Sequence, residues 1–380
     1  MHRLFLIYFF FFACETTEPA SEPIAELVQI EEPVSTLPID KIQLPEGFEI
    51  SVYADGVENA RAMAMGSEGT LFVGSRRAGK VYAIFDADKD YRADKVMTIA
   101  QDLHLPTGIA YHNGDLYVAE VSKIWKYPNI EASLPDVPEA VLVSDAFPTD
   151  DHHGWKYLGF GPDGKLYVPV GAPCNVCEKE NEIYSTICRM NADGSDLEIY
   201  AKGIRNSVGF TWHPTTDELW FTDNGRDHMG DDIPPCELNR APQKDMHFGF
   251  PYCHGGTIPD TEFGDEAPCE NFTQPVQNLG PHVAPLGLAF YTGDLFPAVY
   301  KNQIIIAEHG SWNRSQKIGY RLMLVTLDDN QEAVSYEPFA TGWLEADESV
   351  WGRPVDVLNM ADGSLLVSDD QAGAVYRITY

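Results

Sequence analysis

A polar turn followed by a short alternating apolar segment recurs six times along the chain. The six instances occupy residues 67–73, 113–118, 162–168, 216–221, 301–306 and 361–367. Several of these turns contain Asp-Gly or Asn-Gly, and such turns between alternating apolar segments are strong signals of a tight β-hairpin. Each repeat therefore predicts one hairpin and the strand that follows it.

The spacing of the repeats indicates how these hairpins are organised. Gly69 and Gly114 are 45 residues apart, and Gly114 and Gly164 are 50 residues apart. This is about the length of one four-stranded propeller blade. A β-sandwich is the alternative, but a period near 50 residues fits radial repetition better, and no window predicts a long amphipathic helix. We predict an all-β, six-bladed β-propeller over residues 40–380, closed by pairing of segment 48–53 with segment 374–378.

Seven cysteines are present, and six of them follow residue 170. An even number in an exported chain suggests disulfides, although six cysteines allow fifteen connectivities. The longest interval between repeats, about 228–285, contains Cys236, Cys253 and Cys269, which we interpret as staples of a long insertion. The pair Cys174 and Cys177 could also be a redox or zinc motif, but no second C-x-x-C accompanies it.

The N-terminus predicts export. His2 and Arg3 precede an apolar run over residues 4–13, which is too short for a membrane span of about 20 residues. Cys14 follows directly, and this arrangement resembles a bacterial lipoprotein signal whose cysteine is acylated. We predict a signal peptide over 1–13, a disordered tether over 14–39, and a lipid-anchored location in the bacterial cell envelope; a signal peptide with a chance cysteine is the alternative.

The formal net charge of -32 changes the expected partners. So negative a field repels phosphate backbones and anionic lipid, which argues against nucleic acid as a partner. It leaves carboxylates available for Ca²⁺. A membrane contact is expected through the lipid anchor only.

Five stretches between the predicted strands combine residues that can perform chemistry, and each has a purely structural alternative. A histidine such as His153 can act as a general base, and the Arg205–Asn206 pair can hold an anion or a carbonyl oxygen. The stretches are 150–155, 203–209, 223–232, 308–314 and 351–357. Segment 86–91 spaces its carboxylates like the start of an EF-hand loop, but its sixth residue is tyrosine where glycine belongs, so we predict a turn.

In this order, the five stretches resemble the glucose/sorbosone dehydrogenase family, over about residues 40–380 and closest to its sorbosone branch. The most specific stretches are 203–209, 281–287 and 309–314. The resemblance implies a propeller that holds pyrroloquinoline quinone (PQQ) and Ca²⁺. It also implies that a sugar or related alcohol is oxidised by hydride transfer and that the electrons pass to an acceptor such as a quinone, a cytochrome or a dye.

The resemblance also implies roles for individual residues. His153 would be the general base, Arg205 would stabilise the quinone oxygen with help from Asn206, and Arg353 would grip a PQQ carboxylate. The carbonyls of Gly225 and Arg226 would hold Ca²⁺, in a loop that also offers Asp231 and Asp232. Four further residues are expected to line the same pocket: Arg76, His282, His309 and Arg314.

The chain departs from the family at two positions. Ala172 occupies the place of an aspartate that orients the catalytic histidine, so Asp150 or Asp151 is expected to fix the tautomer of His153. A family lysine that contacts PQQ has no clear match, and Arg314 is the expected replacement. Two other functions remain open: a propeller lactone hydrolase with a single Ca²⁺, and a non-catalytic binding propeller at the cell surface.

Overall fold

Six antiparallel sheets form the framework of the protein. The structure, a computed structural model, describes residues 36–380; Cys14, the predicted signal peptide and nearly all of the predicted tether lie outside this range. The chain enters the sheets through β1 (Glu49–Ala54). Blade 1 contains β2 (Ala60–Met65), β3 (Leu71–Ser75), β4 (Val81–Phe85) and β5 (Lys95–Ala100). Blade 2 contains β6 (Gly108–His112), β7 (Asp115–Ala119), β8 (Ile124–Tyr127) and β9 (Val141–Ser144).

The next two blades are linked by the insertion. Blade 3 contains β10 (Gly159–Phe160), β11 (Leu166–Val170), β12 (Thr186–Met190) and β13 (Glu198–Lys202). Blade 4 contains β14 (Phe210–Trp212), β15 (Leu219–Asp223), β16 (Pro235–Ala241) and, after the insertion, β20 (Gln277–Pro281). The insertion contributes β17 (Met246–His247), which pairs with β13, and the hairpin of β18 (Cys253–His254) and β19 (Ile258–Pro259). It therefore lies inside blade 4, between that blade's third and outermost strands.

The last two blades complete the ring. Blade 5 contains β21 (Pro285–Phe290), β22 (Ile304–Glu308), β23 (Arg321–Leu327) and β24 (Ala333–Ala340). Blade 6 contains β25 (Pro354–Asn359), β26 (Leu365–Asp369) and β27 (Ala374–Thr379), with β1 as its outer strand. The register of β1 on β27 pairs Ile50 with Ile378. The predicted six-bladed propeller and the predicted closure of its ring are both confirmed.

The second strand of each blade is the most deeply buried. Every residue of β3, β11, β15, β22 and β26 is buried, whereas the outer strand β9 has exposed residues. A second strand lies between the faces of two neighbouring blades, so apolar residues are favoured on both of its sides. Each of the six sequence repeats supplies one of these second strands or β7, which explains why the pattern was visible in the sequence.

Helical structure in the described residues is limited to four short segments. They are the helix Ile130–Ser133 and the 3₁₀ turns Ile39–Lys41, Cys269–Asn271 and Ala298–Tyr300. Leu37 and Ile39 pack against the core between blades 5 and 6, so the folded unit begins at Leu37, three residues before the predicted boundary. No helix in this part of the chain has the length and apolar character that crossing a membrane requires.

The cysteines divide into two disulfides and two buried thiols within the described residues. Cys174 pairs with Cys177, and Cys253 pairs with Cys269 across the insertion. Cys188 and Cys236 are free and buried, and each lies on the third strand of a blade. The interpretation of Cys236 as a staple of the insertion is therefore wrong, because its side chain fills the core between blades 4 and 5.

Candidate functional site

The candidate functional residues lie at one end of the propeller because of strand direction. In an antiparallel pair, the start of one strand and the end of the next lie at the same edge. The register shows this, since Pro285 at the start of β21 is opposite Glu308 at the end of β22, and Pro354 is opposite Asp369 in the same way. The segments that precede first strands and follow second strands therefore meet at this end.

A cavity of about 300 Å³ opens between these segments. Its apolar floor includes Val208 and Leu286, which pack together with Val355 of blade 6. Its polar lining includes Arg61, Arg76, His153, Arg205, Asn206, Asn224, Asp227, His282, His309 and Arg353. Four of the described lining residues are arginines and only Asp227 is a carboxylate, although the whole chain carries a net charge of -32. The cavity is thus a cationic site in an acidic protein.

A second hollow, of about 480 Å³, lies at the surface between the loop after Cys177 and the insertion. Glu178, Glu180 and Glu182 line it together with Lys179 and other residues, and no arginine is among the described residues of its wall. Because its charges are mixed and open to solvent, we assign the functional site to the arginine-lined cavity.

His153 is held in one tautomer by the main chain. Its Nδ1 lies 2.8 Å from the carbonyl oxygen of Ala172, and a carbonyl can only accept, so Nδ1 carries the hydrogen. Nε2 is then the nitrogen that can accept a proton. Burial, with a further contribution from the positive charge of Arg205, holds the pKa of His153 well below its usual 6.5. The ring is therefore neutral at neutral pH.

Gly171 makes this arrangement possible. A Cβ at this position would lie 2.6 Å from the Cβ of His153 and 2.8 Å from its carbonyl oxygen. Neither predicted carboxylate orients the ring, since Asp150 accepts a hydrogen bond from the hydroxyl of Tyr184 and Asp151 is 2.9 Å from His104. The hypothesis that one of them fixes the tautomer is wrong; the carbonyl oxygen of residue 172 does so.

Arg205 and Asn206 lie on a turn fixed by a buried carboxylate. Asp223, the last residue of β15, accepts the main-chain N–H of Arg205 at 2.9 Å and that of Asn206 at 2.7 Å. Burial raises the pKa of Asp223, and the main-chain N–H groups of Asn206 and Arg205, together with the charge of Arg205, offset only part of this effect. Both residues are buried and line the cavity.

The guanidinium of Arg205 donates four hydrogen bonds to neighbouring protein groups. Nε donates to the carbonyl oxygen of Asn175 at 2.8 Å, and Nη1 donates to that of Asn224 at 3.2 Å. Nη2 donates to the side chains of Asn175 at 3.0 Å and Asp227 at 3.1 Å. A guanidinium has five N–H groups, so these contacts leave one N–H of Nη1 for a ligand in the cavity.

Blades 1, 5 and 6 are joined at the cavity by Asp370. Its carboxylate accepts hydrogen bonds from Arg61 and from Nε2 of His309, each at 2.9 Å. Burial lowers the pKa of His309 to about 4, so the neutral ring donates its Nε2 hydrogen to Asp370. Arg353 is anchored by its main-chain N–H, 2.8 Å from Asp369, and its Nε donates to the carbonyl oxygen of His309 at 3.1 Å.

Arg76 and Trp155 present two donors that lack partners. The guanidinium carbon of Arg76 lies 3.9 Å from the ring centroid of Trp155, a cation–π contact. Among the described residues, neither Nε of Arg76 nor Nε1 of Trp155 has a hydrogen-bond partner, although both atoms are buried. Burial lowers the pKa of Arg76 to about 10, so it remains charged at neutral pH. Buried donors without partners in a cavity wall indicate a place for an acceptor.

His282 lines the cavity, but Arg314 does not. Nε2 of His282 lies 2.8 Å from the carbonyl oxygen of Gly230 and so ties the loop after β15 to the wall. Arg314 donates to the carbonyl oxygen of Asp231 at 3.1 Å and to the carboxylate of Asp232 at 3.0 Å. Arg314 and Asp231 line a neighbouring surface hollow, and Arg314 is not in the cavity wall.

The predicted calcium loop is only partly at the cavity. Gly225 is in the wall, whereas the guanidinium of Arg226 is buried against Asp260 and Glu262. Asp231 and Asp232 are not in the wall, and Asp231 accepts a hydrogen bond from the main-chain N–H of Ser315 at 3.0 Å. The structure therefore does not bring these two carboxylates together with Gly225.

One group of three carboxylates among the described residues is compact enough to share a cation. Asp86, Asp88 and Asp94 have ligand atoms within 4.8 Å of one another. They lie between β4 and β5, at the edge of blade 1 opposite to the cavity; Asp86 and Asp88 are in the segment 86–91 that we predicted to be a turn, and Asp94 follows it. The group is mostly exposed and is separate from the site.

The family model described as TrAA12-like matches residues 42–380. The chain belongs to the TrAA12-like family. This membership confirms the resemblance to PQQ-dependent dehydrogenases that the sequence motifs indicated. A protein of Borreliella burgdorferi is 36% identical over 369 residues, which cover 93% of each chain.

Relatives with described activities share the fold. The PQQ-dependent pyranose dehydrogenase of Coprinopsis cinerea is 24% identical over 418 residues, which cover 91% of this chain and 56% of that protein. The holo form of its PQQ domain superimposes with a TM-score of 0.78 at 18% identity, over 89% of this chain and 97% of the domain. A calcium structure of a Trichoderma reesei enzyme of carbohydrate-active family AA12 gives a TM-score of 0.75 at 21% identity, over 89% and 96%. At such identities the likeness shows the fold.

Proposed function

We propose that this protein is a PQQ-dependent dehydrogenase that oxidises a sugar, or a related alcohol or aldehyde. The observation that carries the proposal is the convergence of Arg61, Arg76, Arg205 and Arg353 on a cavity with one lining carboxylate among the described residues. Arg61 and Arg205 are already paired with Asp370 and Asp227. Arg76 and Arg353 are half-buried and have no ion pair among the described residues, and gathering such cations is unfavourable unless an anion accompanies them. PQQ, the cofactor of the family, is a flat quinone with three carboxylates, and its charge complements this cavity.

The residues present fit such a group. The cavity volume of about 300 Å³ is at the lower end of the range for small-ligand sites. Arg76 and Arg353 both line the cavity, and their planar guanidinium groups are suited to bidentate contacts with carboxylates. The apolar floor formed by Val208 and Leu286 would contact the flat face of the ring.

When bound, PQQ would supply an electrophilic quinone as the acceptor of a hydride. His153 performs the proton transfer, because its neutral Nε2 can accept the proton of the substrate hydroxyl while Ala172 holds Nδ1. The free N–H of Arg205 donates to the oxygen on which negative charge develops, and Asn206 supports it. A donor that is already fixed by Asn175 and Asp227 does not need to reorganise during the reaction.

Ca²⁺ is part of the same proposal. It would act as a Lewis acid next to the quinone and orient it. Gly225 and Asp227 line the cavity, and we propose that the carbonyl oxygen of the first and the carboxylate of the second hold such an ion. Arg226 would contribute through its carbonyl oxygen, since its side chain is bound to Asp260.

The same charges argue against a propeller lactone hydrolase with Ca²⁺ alone. Such a site requires several side-chain oxygens around the ion, and four arginines would repel a cation that lacked an anionic partner. Among the described residues, Asp227 is the one carboxylate of the wall. A non-catalytic binding propeller could use the same cavity, and only a measurement of turnover distinguishes it from a dehydrogenase.

Reconstitution tests the proposed function. The purified protein is titrated with PQQ in the presence of Ca²⁺, followed by fluorescence quenching, and then assayed with a panel of aldoses and alcohols and an artificial electron acceptor. We expect saturable binding and dye bleaching that requires both PQQ and sugar. Binding without bleaching would favour a binding propeller, lactone cleavage with Ca²⁺ alone would favour a hydrolase, and absence of binding would refute the proposal.

We further propose that the mature protein begins at an acylated Cys14 and that residues 14–36 tether the propeller to the bacterial cell envelope. There it would pass electrons to a quinone or a cytochrome. Replacing Cys14 with serine should release the protein from membranes, because a single thioether-linked lipid group supplies the attachment. Membrane fractionation measures this, with Ser35→Ala in the tether as the control. Retention of Cys14→Ser on membranes would contradict the anchor.

A further inference from the structure

Arg205 is held by a loop that a disulfide closes. Asn175 lies between Cys174 and Cys177, in the segment that connects β11 and β12. Its carbonyl oxygen accepts the Nε hydrogen of Arg205 at 2.8 Å, and its side-chain oxygen accepts from Nη2 at 3.0 Å. One residue of this loop thus forms two of the four hydrogen bonds that fix the guanidinium.

Asn175 also ties the loop to the other side of the site. Its amide nitrogen donates to the carbonyl oxygen of Asp227 at 3.1 Å, and the main-chain N–H of Asp227 donates to its side-chain oxygen at 2.8 Å. Asp227 in turn accepts a hydrogen bond from Arg205 at 3.1 Å. Arg205, Asn175 and Asp227 therefore form a closed ring of contacts, and loss of the position of Asn175 would loosen the other two.

We propose that the Cys174–Cys177 loop is a positioning element for Arg205, and that cleavage of this disulfide weakens cofactor binding and slows turnover. The inference rests on the proposed role of Arg205. A cross-link over three residues restricts the loop to few conformations, among which is the one that presents both oxygens of Asn175. After cleavage the loop samples other conformations, and the guanidinium loses two acceptors for part of the time.

The disulfide is placed where a reductant can reach it. Cys174 and Cys177 are half-buried, and Cys177 lines the open surface hollow of about 480 Å³. A dithiol reductant would break the S–S bond by supplying two electrons and two protons, leaving two protein thiols while the reductant closes into its own disulfide. The position of Arg205 would then respond to the redox state of the surroundings.

The double variant Cys174→Ser/Cys177→Ser tests the proposal without free thiols, which would react with a quinone. We expect the dissociation constant for PQQ to rise about tenfold, the factor expected for one charge-assisted hydrogen bond. We also expect kcat at saturating PQQ to fall while KM for the sugar changes little. The matched control is Cys253→Ser/Cys269→Ser, which removes the disulfide of the insertion. Wild-type PQQ binding and kcat in the first variant, or equal losses in the control, would overturn the proposal.

Asn175→Ala provides a second test in case the double variant fails to fold. It removes the side-chain acceptor of Arg205 and the contacts to Asp227 but keeps the disulfide. We expect the same direction of change in PQQ affinity and kcat, with little change in the midpoint of thermal unfolding. A loss of thermal stability with an unchanged kcat would mean that the loop is merely structural, and the proposal would be wrong.

Hydrogen exchange separates this inference from the proposed function. In the protein without PQQ, the amides of residues 203–209 and 223–228 should exchange faster in the double variant than in the wild type, because both segments contact the Cys174–Cys177 loop. Unchanged exchange would refute the positioning role of the Cys174–Cys177 loop even if PQQ binds. Faster exchange in a protein that never binds PQQ would support the positioning role of this loop and refute the proposed cofactor.

Discussion

Replacing His153 with asparagine is expected to abolish turnover while leaving the cofactor bound. Asparagine accepts the left-handed backbone of this residue, whose φ is 52°, more readily than most residues do. Its amide can donate to the carbonyl oxygen of Ala172, as Nδ1 of the histidine does, but it cannot accept a proton at neutral pH. We expect kcat to fall roughly 10²–10⁴-fold, the usual effect of losing a general base, with an unchanged dissociation constant for PQQ.

The control is His112→Asn, which changes an imidazole at the end of β6 that does not line the cavity. It should retain most of the wild-type kcat. If instead His153→Asn loses PQQ and retains its rate at saturating PQQ, His153 binds the cofactor or supports the fold and is not the base.

The pH dependence of kcat in the wild-type enzyme should reflect the protonation of His153. The base must be neutral to work, and burial lowers the pKa of His153 well below 6.5. The rate that depends on His153 is therefore fully present at pH 7, and it is lost only as the pH falls through the lowered pKa. The residual rate of His153→Asn should lack this acidic limb, whereas a limb centred above pH 7 would contradict the assignment.

The fold was predictable because each blade carries the same local information. The turn and second strand of every blade are both visible in the sequence, since a strand buried on both faces must be apolar and a tight turn requires residues such as Gly114 or Gly164. The insertion lies within the predicted interval, between β16 and β20, although counting from one hairpin to the next cannot show which strand of blade 4 it interrupts. The prediction for Cys236 was wrong because a buried thiol and a disulfide cysteine look alike in sequence.

The site was predictable where the motif and the strand end coincide. His153, Arg205, His282, His309 and Arg353 each lie just before a first strand or just after a second strand, and topology brings such positions together. Their chemical roles remain predictions. The position alone is insufficient for Arg314, which lies on a loop that turns outward to Asp232.

Other residues of the site carried little or no signal. Arg61 lies inside β2. A charged residue in a strand does not by itself indicate a site, and only the structure shows that Arg61 lines the cavity. The acceptor for His153 is a main-chain oxygen, which every residue has, so the alanine at position 172 offered no clue. Trp155, Asn224 and Asp227 lay within the stretches singled out, and only the side-chain directions in the structure distinguish them from their neighbours.

Replacing Arg205 with alanine is expected to damage binding, rate and stability together. The change leaves the carboxylate of Asp227 and the carbonyl oxygens of Asn175 and Asn224 without their donor. Removing one partner of a buried ion pair costs about 3–5 kcal/mol in the free energy of unfolding. Loss of a donor to a developing oxyanion lowers kcat by about 10²–10³-fold. Urea unfolding, PQQ titration and kcat at saturating PQQ measure the three effects separately.

Two variants separate the charge of Arg205 from its geometry. Arg205→Lys keeps the positive charge but cannot reproduce the planar fork that bonds Asn175 and Asp227 at once, so it should recover part of the PQQ affinity and little of the rate. Arg77→Ala removes an exposed arginine next to Arg76 and should leave PQQ affinity and rate close to wild type. If Arg205→Ala retains the wild-type kcat at saturating PQQ, the guanidinium only attracts the anion, and the stabilisation of the developing charge must come from another group in the cavity.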